Sequence, residues 1–291
     1  MLRKLMFLSV SAAFFLVSCS SSEMSSDSSV NSSPSTTKED ASSTSDDHDH
    51  DGHDHGSASS GLAASGEGLG LVFEDTKWEA SPVELRFSIV DVKDGDVFGE
   101  LNDYLEVHTK TMHVAVVKHD LSEYYHVHPV LSDGVWVSEP LVLSEGFYRV
   151  VADFKVKDRA QVALGVDVTV GKSPRMVMAD LSQEVRVSSV DGYSVSVVGS
   201  TQHESDQLLS FTISKDGVPV SSVEPYLESN GHLVSYDSSS LLYTHMHPNS
   251  GIMNGTITFK APPTEHGFSR YFLEVKLDGK VRLFTFVLEN M

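Results

Sequence analysis

The sequence predicts an all-β protein in which two tandem β-sandwich domains follow a disordered tether. Three observations support this prediction: short apolar runs alternate with polar residues, Asp-Gly pairs recur between these runs, and one histidine pattern occurs twice. Alternation with a period of two is typical of half-buried strands, and regularly spaced turns are typical of sandwiches. The chain has no long segment with helical periodicity.

The amino terminus has the features of a secretory signal. Arg3 and Lys4 precede an apolar run from Leu5 to Val17, which is too short to span a bilayer as a mature helix. The run ends in Leu-Val-Ser-Cys, which resembles the lipobox of bacterial lipoproteins. We expect residues 1–18 to be removed and Cys19 to carry lipid that anchors the chain at the extracytoplasmic face of the cell membrane. The alternative is an ordinary signal peptide with an incidental cysteine.

The charge balance excludes one class of partner. Acidic residues outnumber basic ones by 41 to 21, for a formal net charge of -20. A nucleic-acid-binding protein needs clustered Lys and Arg to neutralise phosphates, so we expect no nucleic-acid partner. Anionic lipid would also repel the chain, so membrane association must come from the acyl chains on Cys19.

Residues 19–70 are expected to form a disordered tether. Residues 20–60 include 16 serines and scarcely any large apolar side chain, so burial cannot offset the entropy of ordering. Residues 46–55 read DDHDHDGHDH, and such tracts collect Zn, Cu or Ni ions without folding. The alternative is a solvated acidic spacer. The candidate ligands in the tether are His48, His50, His53 and His55.

Beyond the tether, the pattern of short strands predicts a first sandwich at residues 71–172, a linker at 173–184 and a second sandwich at 185–291. Alternating strand segments are clearest at residues 83–89, 148–154 and 185–190. The Asp-Gly turn signals stand at residues 94–95, 133–134, 191–192, 216–217 and 278–279. A short stretch near Met176 to Ser182 has the character of a connector.

The pattern H-x12-H-x-H-P occurs once in each predicted sandwich, which indicates an internal duplication. We call its histidines the first trio and the second trio. Each copy also has a tyrosine two residues before the H-x-H pair, a Tyr-Leu pair upstream and a Gly-Phe pair downstream. The trios are His113, His126 and His128, and His232, His245 and His247; the flanking residues are Tyr124 and Tyr243, Tyr104-Leu105 and Tyr226-Leu227, and Gly146-Phe147 and Gly267-Phe268.

The spacing within each trio predicts a metal site. A turn-prone centre between the first histidine and the pair suggests a β-hairpin, which places the first histidine across from the other two. Positions i and i+2 of a strand share a face, and cross-strand neighbours lie about 4.5 to 5.5 Å apart at Cβ. Three imidazoles in this arrangement suit Zn(II) or Cu(II).

The same alternation separates other residues from the proposed ligands. It assigns Met112, Val127, Leu233 and Met246 to the opposite face as core residues, so the methionines are not expected to bind metal. His108 is a candidate fourth ligand in the first domain. The remaining histidines outside the tether, His119, His203 and His266, are expected to be ordinary surface residues.

Two questions stay open at this point. The histidines could instead be structural, with neutral rings that hydrogen-bond to Tyr104, Tyr124, Tyr226 or Tyr243. The sequence also leaves open whether the trios hold separate ions or share one centre.

The histidine motifs resemble those of a group of secreted, mostly actinobacterial proteins. In this sequence the matching stretches are Met112 to Pro129 and Gly231 to Pro248, and the similarity covers roughly Leu101 to Met291. Members are described as hypothetical or metal-binding proteins, so the resemblance implies export and an immunoglobulin-like or cupredoxin-like sandwich. The chain is also distantly similar to cupredoxin-type copper chaperones, but it lacks the cysteine ligand of blue-copper electron carriers.

These observations favour a non-catalytic, extracytoplasmic lipoprotein that binds copper or zinc ions and either captures them or passes them on, with a metal-acceptor protein as a possible partner. The alternative is a lipid-anchored β-sandwich interaction module with structural histidines. A hydrolase that uses a three-histidine zinc ion and a bound water is a third class, but the sequence shows no well-placed Glu base or nucleophile motif.

Overall fold

A computed structural model describes residues 65–202, 205–249 and 251–291 of the chain. The described residues form strands and one short 3-10 helix, Leu101–Asp103, so the predicted all-β class is confirmed. They all belong to one compact unit. Within this part of the chain, no helix has the length and apolar character needed to cross a membrane.

Two sandwiches follow one another along the chain. The first contains the strands β1 (Ser65–Gly66), β2 (Leu69–Phe73), β3 (Lys77–Trp78), β4 (Arg86–Asp91), β5 (Tyr104–Leu105), β6 (His113–Lys118), β7 (Tyr124–Val127), β8 (Val130–Ser132), β9 (Val135–Val137), β10 (Gly146–Val156) and β11 (Gln161–Val170). The second contains β12 (Val187–Val190), β13 (Tyr193–Val198), β14 (Gln207–Lys215), β15 (Val218–Pro219), β16 (His232–Asp237), β17 (Tyr243–Met246), β18 (Thr256–Ala261), β19 (Gly267–Leu277) and β20 (Lys280–Asn290).

Each sandwich has an outer sheet and an inner sheet, where the inner sheet is the one that faces the other sandwich. In the first, the outer order is β1-β2-β4-β9-β8, and the inner order is β3-β11-β10-β6-β7 with β5 also paired to β10. In the second, the outer order is β12-β13-β14-β15 with β18 also paired to β14, and the inner order is β17-β16-β19-β20.

Each sandwich has its own hydrophobic core between its two sheets. In the first, Phe87 from the outer sheet and Val114 from the inner sheet belong to one buried cluster. In the second, Phe211 and Leu233 are related in the same way. The residues assigned to the core face behave as expected, because Met112, Leu233 and Met246 are buried in these clusters and Val127 packs against the first.

A third apolar cluster joins the two inner sheets. It contains Val117 and Tyr124 from the first sandwich and Tyr236 and Phe272 from the second. The rings of Tyr124 and Phe272 stack with centroids 4.4 Å apart and planes inclined by 14°. As a result, β6 and β16 are buried on both faces for nearly their whole length. The sandwiches therefore pack inner sheet against inner sheet, in the same region that contains the histidines.

Ordered pairing begins before residue 71, where the sequence suggested the first domain would start. Strand β1 pairs with β2, and Leu69 is fully buried in the first core. The apolar residues here are too few to produce a recognisable alternation. Farther along, Ala179 and Leu181 of the connector pack against the cluster between the inner sheets, and Ala179 N donates to His119 O at 3.2 Å.

Candidate metal centre

Two equivalent hairpins bring the histidine trios together. In β6 and β7, Ala115 pairs with His126, which sets His113 across from the H-x-H segment. In β16 and β17, Val234 pairs with His245 in the same register. The predicted cross-strand arrangement is therefore confirmed in both copies, and alternation along each strand points the histidines toward the interface between the inner sheets.

The first trio has the spacing of a metal site. One ring nitrogen from each of His113, His126 and His128 lies within 4.8 Å of the other two. The closest pair, His113 Nδ1 and His126 Nε2, is 3.2 Å apart. Ligand atoms about 2.0 Å from a tetrahedral ion lie about 3.3 Å apart, so this contact fits a shared ion.

Hydrogen bonds outside the first trio fix where its protons lie. His113 Nε2 is 2.7 Å from the carbonyl oxygen of Val107, and His126 Nδ1 is 2.7 Å from Glu274 Oε2. A carbonyl and an ionised carboxylate only accept hydrogen bonds, so each of these nitrogens must carry the ring proton. The other nitrogens, His113 Nδ1 and His126 Nε2, then present lone pairs to each other.

Two lone pairs that face each other across 3.2 Å repel. The contact becomes favourable only with a positive charge between the nitrogens, which is either a metal ion or an additional proton. His128 Nε2 is buried with no hydrogen-bond partner within the described residues. Three convergent lone pairs therefore point at one small volume, which is the arrangement that a metal ion requires.

The second trio repeats the outer hydrogen bonds of the first. His232 Nε2 lies 3.1 Å from the carbonyl oxygen of Tyr226, and His245 Nδ1 lies 3.0 Å from Asp153 Oδ2. His232 Nδ1, His245 Nε2 and His247 Nε2 are buried and have no partner within the described part of the chain. The second trio is wider, with the rings of His232 and His245 centred 5.8 Å apart, against 5.4 Å for His113 and His126.

The middle histidine of each trio is hydrogen-bonded to a carboxylate from the other sandwich. Glu274 of the second sandwich bonds His126 of the first, while Asp153 of the first bonds His245 of the second. Asp153 pairs directly with His113 in the first inner sheet, as Glu274 pairs with His232 in the second. The two carboxylates are thus equivalent in the repeat, and each completes the partner repeat's hydrogen bonding.

Sequence reasoning missed both carboxylates. The signal was present, because an acidic residue stands seven positions after Gly146 and again after Gly267. Their partners could not be inferred, because those contacts depend on how the sandwiches dock. Burial is the largest single effect and acts to raise the pKa of Asp153, but the hydrogen bonds from His245 and Gln161 and the charges of His245 and His113 together outweigh it and leave that pKa below its ordinary value.

Burial favours the neutral form of four of the trio imidazoles. Burial, with a smaller contribution from neighbouring imidazoles, lowers the pKa of His113 to about 3, of His128 to about 2 and of His247 to about 3. The pKa of His232 also lies well below its ordinary value, mainly through burial. These rings therefore offer lone pairs at neutral pH, as metal ligands must.

Two of the four tyrosine hydroxyls that could hold the histidines have other partners. Tyr104 donates to the carbonyl oxygen of Phe98 at 3.0 Å, and Tyr243 donates to Asp153 Oδ2 at 3.1 Å. The imidazoles are instead held by backbone carbonyls and carboxylates. This arrangement weakens the alternative in which tyrosines hold the histidines for packing.

Two expectations about single histidines are wrong. His108 is not beside the first trio, because its ring lies against the second, 4.1 Å from the ring of His247. His119 is not a surface residue, since it is 4% exposed and its Nε2 lies 3.1 Å from Asp167 Oδ1. Docking of the second sandwich and of the connector explains both differences. His266 is exposed as expected, whereas His203 is outside the described residues.

The upstream alignment of the two repeats also needs correction. The carbonyl groups that accept from His113 and His232 belong to Val107 and Tyr226, so Tyr226 corresponds to Val107 rather than to Tyr104. Cys19 and the tether histidines His48, His50, His53 and His55 lie outside the described residues.

The second trio does not have the ligand spacing of the first. Among the described residues, the first trio alone meets the 4.8 Å separation of three ligand atoms. One three-histidine cluster of the described residues could therefore hold a metal ion.

Comparisons with known proteins add one family match. A family described as "Domain of unknown function (DUF8832)" matches residues 188–290, within the second sandwich. Comparison with curated protein sequences gives no match.

Solved structures show only weak likeness. Red sea bream transglutaminase is 9% identical, with 77% of this chain and 31% of that chain covered and a TM-score of 0.23. Domains 4 and 5 of the S-layer protein SbsC are 11% identical over 77% and 97% of the chains, with a TM-score of 0.23. MtrC from Shewanella baltica OS185 is 8% identical over 77% and 70%, with the same TM-score. The chain thus spans about a third of the transglutaminase, and scores this low carry no argument about function.

The crossed carboxylates lead to a direct test. Glu274→Gln keeps an oxygen that accepts from His126 but removes the negative charge that makes the imidazole a stronger ligand. We expect the affinity of the first trio for Zn(II) to fall roughly tenfold, because outer partners of metal-bound histidines contribute about 10 to 100-fold. Competition with a chromogenic chelator measures the change. Glu289→Gln, at an exposed position of the neighbouring strand, is the matched control, and equal affinities for the two variants would contradict the assignment.

Proposed function

We propose that this protein is a non-catalytic lipoprotein that binds Cu(II) or Zn(II) outside the cytoplasm and captures the ion or passes it on. The observation that supports this function most strongly is the convergence of three imidazole nitrogens in the first trio. In each trio the protons of two rings are held by acceptors outside the cluster, so one nitrogen of each of these rings is left to face inward.

The ligand chemistry favours divalent ions. Imidazole suits Zn(II) and Cu(II), whereas Cu(I) is selected by thiolate and thioether ligands. Met112 and Met246 are buried in the sandwich cores, on the opposite strand face from the histidines. Cys19 is the only cysteine of the sequence and is expected to carry lipid.

The placement of the carboxylates supports a non-catalytic role. A hydrolytic zinc site needs a base that can take a proton from the metal-bound water. The two carboxylates nearest the trios, Asp153 and Glu274, are each bonded to an imidazole Nδ1. They act as positioning residues for His245 and His126, which leaves neither free to serve as that base.

The amino-terminal segment fits the same function. Lipid on Cys19 would hold the protein at the extracytoplasmic membrane surface, and the histidine tract of the tether would raise the local concentration of weakly held ions. A metal-acceptor protein is then the expected partner, since an ion held only by imidazoles can be passed to a stronger ligand set.

Metal titration of the mature protein tests the proposal. To remove the contribution of the tether, His48, His50, His53 and His55 are replaced by serine in an otherwise complete chain. We expect this protein to bind two Cu(II) or Zn(II) ions, and His126→Ala combined with His128→Ala to remove one of them. His266→Ala, which removes an exposed histidine, should retain both. Absence of metal uptake by the tether-substituted protein would eliminate the folded-site function.

A further inference from the structure

The turn that precedes each trio is the same in both repeats. In the first sandwich Val107 bridges to Lys110, and in the second Tyr226 bridges to Ser229. The second residue of each turn has a positive φ, 50° at His108 and 53° at Leu227. His108 and Leu227 are therefore equivalent positions that carry different side chains.

The inner sheets dock so that His108 reaches the other sandwich. Its ring centroid lies 4.1 Å from that of His247, 5.6 Å from that of His232 and 6.5 Å from that of His245. It is buried enough that desolvation lowers its pKa. Leu227 is the equivalent position of the second sandwich, and its aliphatic side chain cannot bind a metal.

Four imidazole rings cluster at the second trio. Taken in order, His108, His232, His245 and His247 have neighbouring centroids 5.6, 5.8, 4.6 and 4.1 Å apart. His108 and His245, at opposite corners, are 6.5 Å apart. Imidazole ligands suit Cu(II).

We propose that His108 is the fourth ligand of the second trio, so that the protein contains two unlike sites. The second site is a four-imidazole Cu(II) site with ligands from both sandwiches. The first site has three imidazoles and one open coordination position. This inference rests on the proposed metal-binding function and assigns different roles to the metal sites of the two repeats.

The two sites then differ in how they exchange metal. A closed four-ligand site retains its ion, because an incoming ligand must first displace a protein ligand. A three-ligand site has a position at which an acceptor or chelator can attack directly. The first trio is therefore the exchanging site, and the second trio with His108 is a retaining site that also joins the sandwiches.

Release of Cu(II) to a chelator tests this assignment. The complete mature chain with the four tether histidines replaced by serine is loaded with Cu(II) and mixed with excess EDTA, and protein-bound copper is measured over time. We expect one ion to leave quickly and one slowly. His108→Asn should accelerate the slow phase at least about tenfold, the size of effect that even an outer-shell partner has. Asn is chosen because it tolerates positive φ, so the turn is kept.

Two further variants sharpen the result. Lys110→Ala changes an exposed residue of the same turn without removing an imidazole, and both phases should persist. Leu227→His supplies the missing ligand to the first trio and should convert the fast phase into a slow one, independently of whether His108→Asn folds. Electron paramagnetic resonance should show a Cu(II) signal that His108→Asn alters at the slow site.

The outcomes separate this inference from the proposed function. Failure to bind any copper would overturn both. Binding of two ions that leave at one rate, or a slow phase that survives His108→Asn, would overturn the unlike sites and leave metal binding intact.

Discussion

Zn(II) or Cu(II) raises the melting temperature of the tether-substituted protein by roughly 10 °C or more, and EDTA reverses the shift. A ligand that binds only the folded state stabilises it by about 2.7 kcal/mol when its free concentration is 100 times the dissociation constant. With two sites, and about 2 to 4 °C per kcal/mol for a chain of roughly 150 to 250 residues, a shift of this size follows. Relief of the facing lone pairs of His113 and His126 acts in the same direction.

His128→Ala and His247→Ala provide the decisive comparison. The Nε2 atoms of these residues have no hydrogen-bond partner within the described residues, so each substitution removes a ligand and few other polar contacts. The double variant should melt within a few degrees of the metal-free parent and should no longer respond to metal. The structural alternative predicts the reverse, with early melting of the double variant and no response of the parent to metal. Thermal melting followed by circular dichroism distinguishes the two.

The metal-free protein loses stability as the pH falls below about 6.5. In the unfolded chain the histidines take up protons near this pH. In the folded protein, burial and the neighbouring His126 lower the pKa of His113 to about 3. Between these two pKa values the unfolded state therefore binds more protons than the folded state, so acidification favours unfolding. The full contribution of His113 to stability is present above this pH range.

Each buried, neutral histidine lowers the free energy of unfolding by about 1.4 kcal/mol for each pH unit of acidification between its unfolded and folded pKa values. His113 is 2% exposed and His232 is 1% exposed, so solvent screening does little to reduce the effect. Urea unfolding at pH 7.5, 6.0 and 5.0 in the presence of EDTA measures it. A free energy of unfolding that stays constant from pH 7.5 to 5.0 would contradict the assignment of neutral, buried imidazoles.

The local parts of the candidate metal centre were predictable from the sequence. Alternation along a strand fixed which residues share a face with His126, and the turn-prone centre of the hairpin fixed what lies across from it. Both features act over a few residues, so they do not depend on the remainder of the fold. For the same reason the core positions of Met112 and Met246 were assigned correctly.

The parts that depend on docking were not predictable. The partners of Asp153 and Glu274, the reach of His108 across the interface and the burial of His119 all arise where separate sheets or the connector meet. One clue to this docking was available. Strand β16 reads HLVSYD, which lacks the charged outer face that a half-exposed strand would carry, and it is buried on both sides.

The exchange of carboxylates between the repeats has a consequence for how such a protein arises. In a symmetric homodimer, residue i of one subunit contacts residue j of the other, and residue j of the first contacts residue i of the second. The interface between the two repeats has the same form. His126 with Glu274, and His245 with Asp153, satisfy this condition within a single polypeptide. Fusion of two identical subunits gives this geometry at once, and it frees each half to accumulate its own substitutions. A homodimer would have to carry the same side chain at positions 108 and 227, whereas the fused chain has histidine at one and leucine at the other.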